Sequence, residues 1–498
     1  MLQSDRQGSH DQLMSRALRA SSIRLIAQAV KLVVLIGSTA VLARLLTPTD
    51  FGLFAMINTL LLFIATFRDF GLTHATTYQT DLSAQQLNRL FWLNLRWNVV
   101  LIVVLALAAP LLAWLYNDSR LIAMTGVVII GVFLFGMSTQ PESLLTRSMH
   151  FTSLAIIDAG ALLISMVVAI AMAWMGFGYW ALVGQFVSDA LIRCSTTWFI
   201  CKWRPSAPDF GTSNSTDVSK VLHYSQQVTG YRVLTYIGKN IDQVLVGAIS
   251  GAATLGLYSK AYQWSTFPML QIYGSLLNVL VSSLSQVQND PERYRQTMHR
   301  LFLSVFAICL PALAFMAIEA ELVIRILLGD QWLEAVPLLT LFCVSAFVGS
   351  FSQLTKPLYL SQGQTQRQLT WGLITTPLMI AAVVVGSFWG SLGVAIGFTA
   401  MTALLTYPGV WFCLRNSIVR HHDFWGTVWR PASAALLSVA LAPLISNALV
   451  PTIGIVWELL LRLLVFGVLY AAIFLGIPGG WREALSTLAA LQREGATK

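Results

Sequence analysis

Charge is what this sequence has least of. Only 11% of its 498 residues are Asp, Glu, Lys or Arg, against about 25% in soluble globular proteins. The mean hydropathy is +0.69. So little polar surface excludes an ordinary soluble domain. Cysteine is also sparse: Cys194, Cys201, Cys309, Cys343 and Cys413 are odd in number and scattered, with no C-x-x-C pair. That excludes a disulfide framework and a zinc site. There is no glycine-rich nucleotide loop, no metal-ligand spacing and no nucleophile–base arrangement. The expectation is therefore a chain without cofactor or metal that is not an enzyme. Residues Met1 to Ala20 are polar and basic, with Arg6, Arg16 and Arg19 but no apolar core. That excludes a cleaved signal peptide and makes the first hydrophobic segment an anchor that stays. The net charge of +9 is distributed as membrane topology requires, and no nucleic-acid partner is expected.

What fills the chain is long apolar runs. A bilayer core takes about 20 apolar residues per helix. The pattern predicts about fourteen spans, near 21–46, 51–67, 91–115, 121–139, 152–174, 178–200, 221–248, 254–285, 299–319, 334–354, 368–388, 391–414, 431–449 and 456–477. The fold class is an all-α integral membrane protein. Sixteen Trp and twenty-six Phe suit aromatic belts at the lipid interface. With both termini cytoplasmic, Arg68, Arg89, Arg147, Lys202, Arg293, Arg295, Arg367 and Arg420 fall inside, and only Arg44, Arg120 and Arg325 fall near the outer side. This is the asymmetry expected of cytoplasmic loops.

The spans contain a repeat. In the stretch from Lys239 to Pro268 an apolar helix breaks between Gly247 and Gly251 and restarts at Leu255-Gly256-Leu257-Tyr258. About 200 residues earlier an apolar helix ends at Arg44-Leu45-Leu46, and another begins at Phe51-Gly52-Leu53-Phe54. Thr47-Pro48-Thr49-Asp50 reads as a helix start, with proline in the first turn and an acid completing a capping box. Two such units suggest a duplicated half, a common plan of transporters with the substrate site between the halves. The predicted organisation is a cytoplasmic N-terminal segment over 1–20, one six-helix lobe over 21–200 and a polar cytoplasmic linker over 201–220. A second, pseudo-symmetric six-helix lobe covers 221–414, followed by a helix pair over 415–478 and a cytoplasmic tail over 479–498.

These residues carry a family resemblance. Ala43-Arg44-Leu45-Leu46-Thr47-Pro48-Thr49-Asp50-Phe51-Gly52-Leu53 forms one block, followed by Arg68-Asp69-Phe70-Gly71-Leu72 and Leu90-Phe91-Trp92-Leu93-Asn94. Asn240-Ile241-Asp242-Gln243 and Leu255-Gly256-Leu257-Tyr258-Ser259-Lys260-Ala261-Tyr262 form another. In them the chain resembles the polysaccharide-transporter family of the multidrug/oligosaccharidyl-lipid/polysaccharide exporter superfamily, the Wzx-type flippases, and within it the colanic-acid and succinoglycan exporter branch. The resemblance implies fourteen helices in two lobes. It also implies export of an undecaprenyl-pyrophosphate-linked sugar repeat unit across a bacterial inner membrane, driven by an ion gradient. A polysaccharide polymerase and export machinery are the implied protein partners, with membrane lipids around the chain.

Ionisable groups at membrane depth are costly and should face a cavity or a partner. The first span carries Arg24, Gln28, Lys31 and Ser38 on one stripe, and the seventh carries Arg232, Thr235, Lys239 and Asp242 on another. With Gly52 set on Gly256, Gln28 falls on Arg232, Lys31 on Thr235 and Ser38 on Asp242. Both stripes are therefore read as lining a central, net-positive cavity. Arg24, Gln28, Lys31, Arg44, Arg232, Lys239 and Lys260 are the candidate substrate-binding residues, suited to a lipid pyrophosphate or acidic sugars. Asp242, Asp158 and Asp189 are the ion-coupling candidates. Competing readings stand beside these. Arg24 could snorkel to the headgroups, Lys239 could simply pair with Asp242, and Asp189 with Arg193 has the spacing of a structural ion pair. Asp158 has no partner nearby in sequence. Tyr224, Tyr231, Tyr236, Tyr258, Tyr262 and Trp264 add faces on which sugars could stack. Two other functions compete. An ion-coupled multidrug-type exporter would favour acids in the cavity, and here bases outnumber them. A membrane polymerase or ligase would need an outer-face site, for which Glu319, Glu321, Asp330 and Glu334 are the only acids in the longest outer connector.

Overall fold

The computed structural model describes residues 32–68, 83–207, 216–449, 454–478 and 481, and every regular element among them is helical. The first half holds α1 (Leu32–Leu45), α2 (Pro48–Arg68), α3 (Ala84–Leu115), α4 (Arg120–Arg147), α5 (Phe151–Trp174), α6 (Trp180–Ile200) and α7 (Thr216–Gln286). After it come α8 (Pro291–Ile318), α9 (Ala320–Leu327), α10 (Val336–Gln353), α11 (Thr355–Ser361), α12 (Thr365–Ser387), α13 (Gly390–Leu414), α14 (His421–Leu449) and α15 (Ile455–Gly476). Eleven stretches among the described residues are long and apolar enough to cross a membrane. The chain is thus a multi-pass helical membrane protein. Where the count departs from fourteen, the reasons are local. The start of the first predicted span lies outside the described residues. α6 carries Asp189 and Arg193, which lower its hydropathy. The seventh and eighth predicted spans follow one another with a single residue, Gly251, between them, and count as one stretch over Asn240–Gly274.

The helix starts follow their cap chemistry. At α2 the Asp50 carboxylate accepts from the Thr47 amide (2.9 Å) and hydroxyl (2.7 Å), and the Asp50 amide donates back to the hydroxyl. α3 opens on a full capping box: Ser83 Oγ accepts from the Gln86 amide at 3.2 Å, and the Ser83 amide donates to Gln86 Oε1 at 2.8 Å. Ser83→Ala removes one orphan amide's partner and should cost about 1 kcal/mol, read as a melting point lower by roughly 1–2 °C in a chain this large. Ser83→Asp keeps an acceptor and should melt with the native chain; equal loss in both variants would remove the cap from the account.

α7 is two helices joined at one residue. Gly251 has φ 78° and ψ −179°, a conformation essentially confined to glycine. Asp242 and Tyr258, 16 residues apart, would be separated by about 24 Å along a straight helix. Instead the Tyr258 hydroxyl donates to Asp242 Oδ2 at 2.8 Å, so the chain reverses at Gly251 and the start of the second arm, as far as Ala261, lies back along the first. Gly52 and Gly256 then explain each other. A Cβ on Gly52 would stand 1.7 Å from the Ala252 carbonyl oxygen, and one on Gly256 would stand 1.9 Å from the Pro48 carbonyl oxygen. Pro48 and Ala252, like Gly52 and Gly256, are 204 residues apart, so α2 and the second arm of α7 cross backbone to backbone about a local pseudo-twofold.

The contacts divide the chain into two compact units. One comprises Val41–Ala261 with Gly372–Met401, the other Met1–Ala40, Tyr262–Trp371 and Thr402–Lys498. In the first, α6 packs against both α4 and α5, and α3 against α4. The chain leaving α6 is stitched to α3, where the Trp92 indole and Asn88 amide donate to the carbonyls of Ser206 and Ala207. In the second, α8 packs on α10 and α14, and α14 on α15. Phe302, Phe306, Leu310 and Phe424 are fully buried there.

Candidate functional site

Arg24, Gln28 and Lys31 lie outside the described residues, as do the side chains of Arg232 and Lys239. Arg44 is exposed at the end of α1. Lys260 sits one turn past the crossing, its Nζ 4.3 Å from the Phe51 ring centroid, a cation–π contact. Asp242 is 2% exposed and is held by Tyr258 from the other arm of its own hairpin, while its Oδ1 has no hydrogen bond among the described residues. The aromatic residues correct one expectation. Tyr258 is fully buried and Trp264 nearly so, and the Tyr236 hydroxyl donates to the Thr59 carbonyl. Tyr258 and Trp264 therefore pack inside the protein and present no face to a sugar.

Asp158 and Asp189 come together. Arg193 Nε donates to Asp189 Oδ2 at 3.0 Å across one turn of α6, and its other arm binds the Asp158 carboxylate on α5. The structural ion pair weighed for Asp189 is present, and Asp158 does have a partner. It was hidden because Arg193 lies 35 residues further on. This ion triad borders a cavity of about 340 Å³ between α2, α4 and α6. Arg68, Glu142, Asp189 and Arg193 form its polar end, and Leu61, Phe135 and Phe186 its apolar walls. Arg68 lies over the Phe135 ring at 5.1 Å. Glu142 was not singled out from sequence. It stands near the end of α4, where an acid reads as a solvated helix terminus.

Three of the four acids between Glu319 and Glu334 are engaged by arginines. Glu319 is 8% exposed and accepts from Arg462 on α15 at 3.2 Å, with Glu458 on the same guanidinium at 2.9 Å. Arg325 holds Glu321 at 2.8 Å and lies 3.8 Å from Asp330. On another connector, between α3 and α4, Asp118 is bonded by the Arg120 guanidinium, which keeps its carboxyl below the usual range.

The sequence profile of the polysaccharide biosynthesis protein family matches residues 41–337, more than half of the chain. The chain belongs to that family. Polysaccharide biosynthesis proteins similar to it include the lipopolysaccharide biosynthesis protein WzxC of Escherichia coli (strain K12), 23% identical over 76% of this chain and 77% of that one. The succinoglycan biosynthesis transport protein ExoT of Rhizobium meliloti (strain 1021) is 26% identical over 80% of this chain and 77% of its own length. Among solved structures, the lipid II flippase MurJ in an inward closed conformation superposes with a TM-score of 0.71 at 13% identity, covering 90% of this chain and 98% of that one. An inward-facing multidrug resistance MATE family transporter of the MOP superfamily gives 0.61 at 14% identity, covering 77% and 94%. At these identities the likeness is one of fold. The matched region contains the reversal at Gly251 and the crossing of α2 with the second arm of α7.

Proposed function

We propose that this protein carries an undecaprenyl-pyrophosphate-linked oligosaccharide repeat unit across a bacterial inner membrane, for exopolysaccharide or lipopolysaccharide synthesis, without covalent change to the glycan. The reciprocal glycine crossing supports the reading, because positions 204 residues apart meet each other pairwise, as fits the internal repeats from which many transporters are built. Lobes over 21–200 and 221–414 then rock about a cationic central cavity, with the pair over 415–478 appended. Both termini and the 201–220 linker are cytoplasmic, and an ion gradient drives the cycle. A polymerase and export machinery take the product onward. Arg24, Gln28, Lys31, Arg44, Arg232, Lys239 and Lys260 meet the anionic head, and Asp242 is an ion-coupling candidate. The relatives' names and the likeness to a lipid II flippase support this reading. A small-drug exporter shares the fold, but the bases on the first and seventh spans suit an anion. For a polymerase or ligase the outer acids would have to be free, and Glu319, Glu321 and Asp330 are engaged by arginines.

The test is surface polysaccharide made by a strain whose own exporter of this family is deleted. A charge-assisted hydrogen bond contributes about 1.5–3 kcal/mol, so Lys239→Ala or Arg232→Ala should lower export by about tenfold or more at near-normal membrane abundance. Lys239→Arg should retain part of it. If Lys239 merely neutralises Asp242, Lys239→Ala lowers abundance and the added Asp242→Ala restores it. That rescue would take Lys239 out of the binding site.

A further inference from the structure

Among the described residues, the charges around the cavity between α2, α4 and α6 do not balance. Arg68 and Arg193 bring two positive charges, and Glu142, Asp158 and Asp189 bring three negative ones, all within one unit of the fold. Arg193 is committed to both aspartates, so those two carboxylates are stabilised as anions by a guanidinium that cannot lose its proton. Glu142 is different. It faces the cavity among Arg68, Asp189 and Arg193, yet it has no ion pair within bonding distance among the described residues. An unbalanced negative charge between apolar helices is costly, and one proton removes it. The set has no room for a phosphate, because its best cation is already doubly occupied. It is also a poor cage for a metal cation, because a guanidinium stands where oxygens would be needed.

A proton site needs water beside it. The cavity has space for on the order of ten waters. Thr197, one turn beyond Arg193 on α6, and Asn98, on α3 against α4, are fully buried, and each keeps an oxygen without a hydrogen bond among the described residues. Buried oxygens in that condition call for a partner, and an ordered water is one that serves.

We propose that this cavity is a proton-binding site, in which Glu142 takes up and releases the proton while Arg193, fixed by Asp158 and Asp189, holds the rest of the charge constant. The site rests on the reading of the chain as an ion-driven exporter, for which it names the driving ion as the proton. Arg68 faces it from α2, Asp189 and Arg193 from α6 and Asp158 from α5, so its occupancy responds to any movement of α2 against α4 and α6.

Dicyclohexylcarbodiimide, an apolar reagent, adds to carboxyl groups that hold a proton in apolar surroundings. Purified full-length protein in liposomes should acquire one principal adduct by peptide mapping, on Glu142, several-fold stronger at about pH 6 than at about pH 8, a range in which unperturbed carboxyls stay ionised. Glu142→Gln should abolish it, and Glu142→Asp should keep an adduct at position 142. Label on Asp158 or Asp189 in preference to Glu142, label on Glu142 independent of pH, or none on Glu142 would overturn the site. Polysaccharide export is read separately. Several-fold loss in Glu142→Gln at normal abundance is expected, and unchanged export would remove the site from the drive. Failure of the native chain to restore export would remove the exporter reading and leave the adduct result standing.

Discussion

Gly52→Ala is expected to leave little folded protein in the membrane. The added Cβ would lie 1.7 Å from the Ala252 carbonyl oxygen, where ordinary carbon–oxygen contacts exceed 3 Å. The obstacle is backbone, so no side-chain rotation relieves it. α2 and the second arm of α7 would have to separate by more than 1 Å, losing the close-packed crossing along its length. Gly256→Ala meets the Pro48 carbonyl oxygen at 1.9 Å and should behave alike. Strain of this kind belongs with the most damaging substitutions, about 4–5 kcal/mol or more. Gly126→Ala is the control: nothing lies within 4 Å of its Cβ position on α4, and alanine is the better helix former by about 1 kcal/mol. Quantitative blots of membranes should show Gly126→Ala at native abundance and the other two far below it. Equal abundance of all three would mean that the crossing is not tight.

Arg462→Leu should be nearly as damaging, for an electrostatic reason. Its guanidinium joins Glu319, at the end of α8, to Glu458 on α15, and Glu319 is 8% exposed. Without it two carboxylates, Glu319 buried and Glu458 partly exposed, are left facing each other. Breaking a buried pair on one side costs about 3–5 kcal/mol, whereas removing all its charges together is often close to neutral. The melting point of Arg462→Leu should therefore fall by several degrees, and Arg462→Leu/Glu319→Gln/Glu458→Gln should recover most of it. A triple variant no more stable than the single one would show that Arg462 acts through packing.

What could be read from the sequence is what depends on neighbours in the chain. Apolar runs gave the helices, and Thr47 with Asp50 gave the start of α2, because a capping box spans four residues. The Gly-Leu-aromatic signature located the glycines at which α2 and the second arm of α7 cross, though the turn before the second proved to be Gly251 alone. What could not be read depends on neighbours in space. Spacing along α6 finds Asp189 beside Arg193 and is blind to Asp158 on α5. Tyr258 reads as a face for a sugar until the reversal at Gly251 brings it to Asp242. Glu142 looks like a solvated helix end until α2 and α6 are placed against it. The membrane-depth charges on the first span, and the side chains of Arg232 and Lys239, lie outside the described residues.

The turn at Gly251 also bears on how this chain can change in length. Surface connections usually absorb inserted or deleted residues, but here the whole connection is one residue. An extra residue would rotate everything beyond it by about 100° about the helix axis. Tyr258 would swing away from Asp242, and Gly256 would be replaced against Pro48 by a neighbour with a side chain. Between Asp242 and Tyr258 the chain can substitute residues but can neither gain nor lose one, so in any set of related sequences this segment should align without gaps.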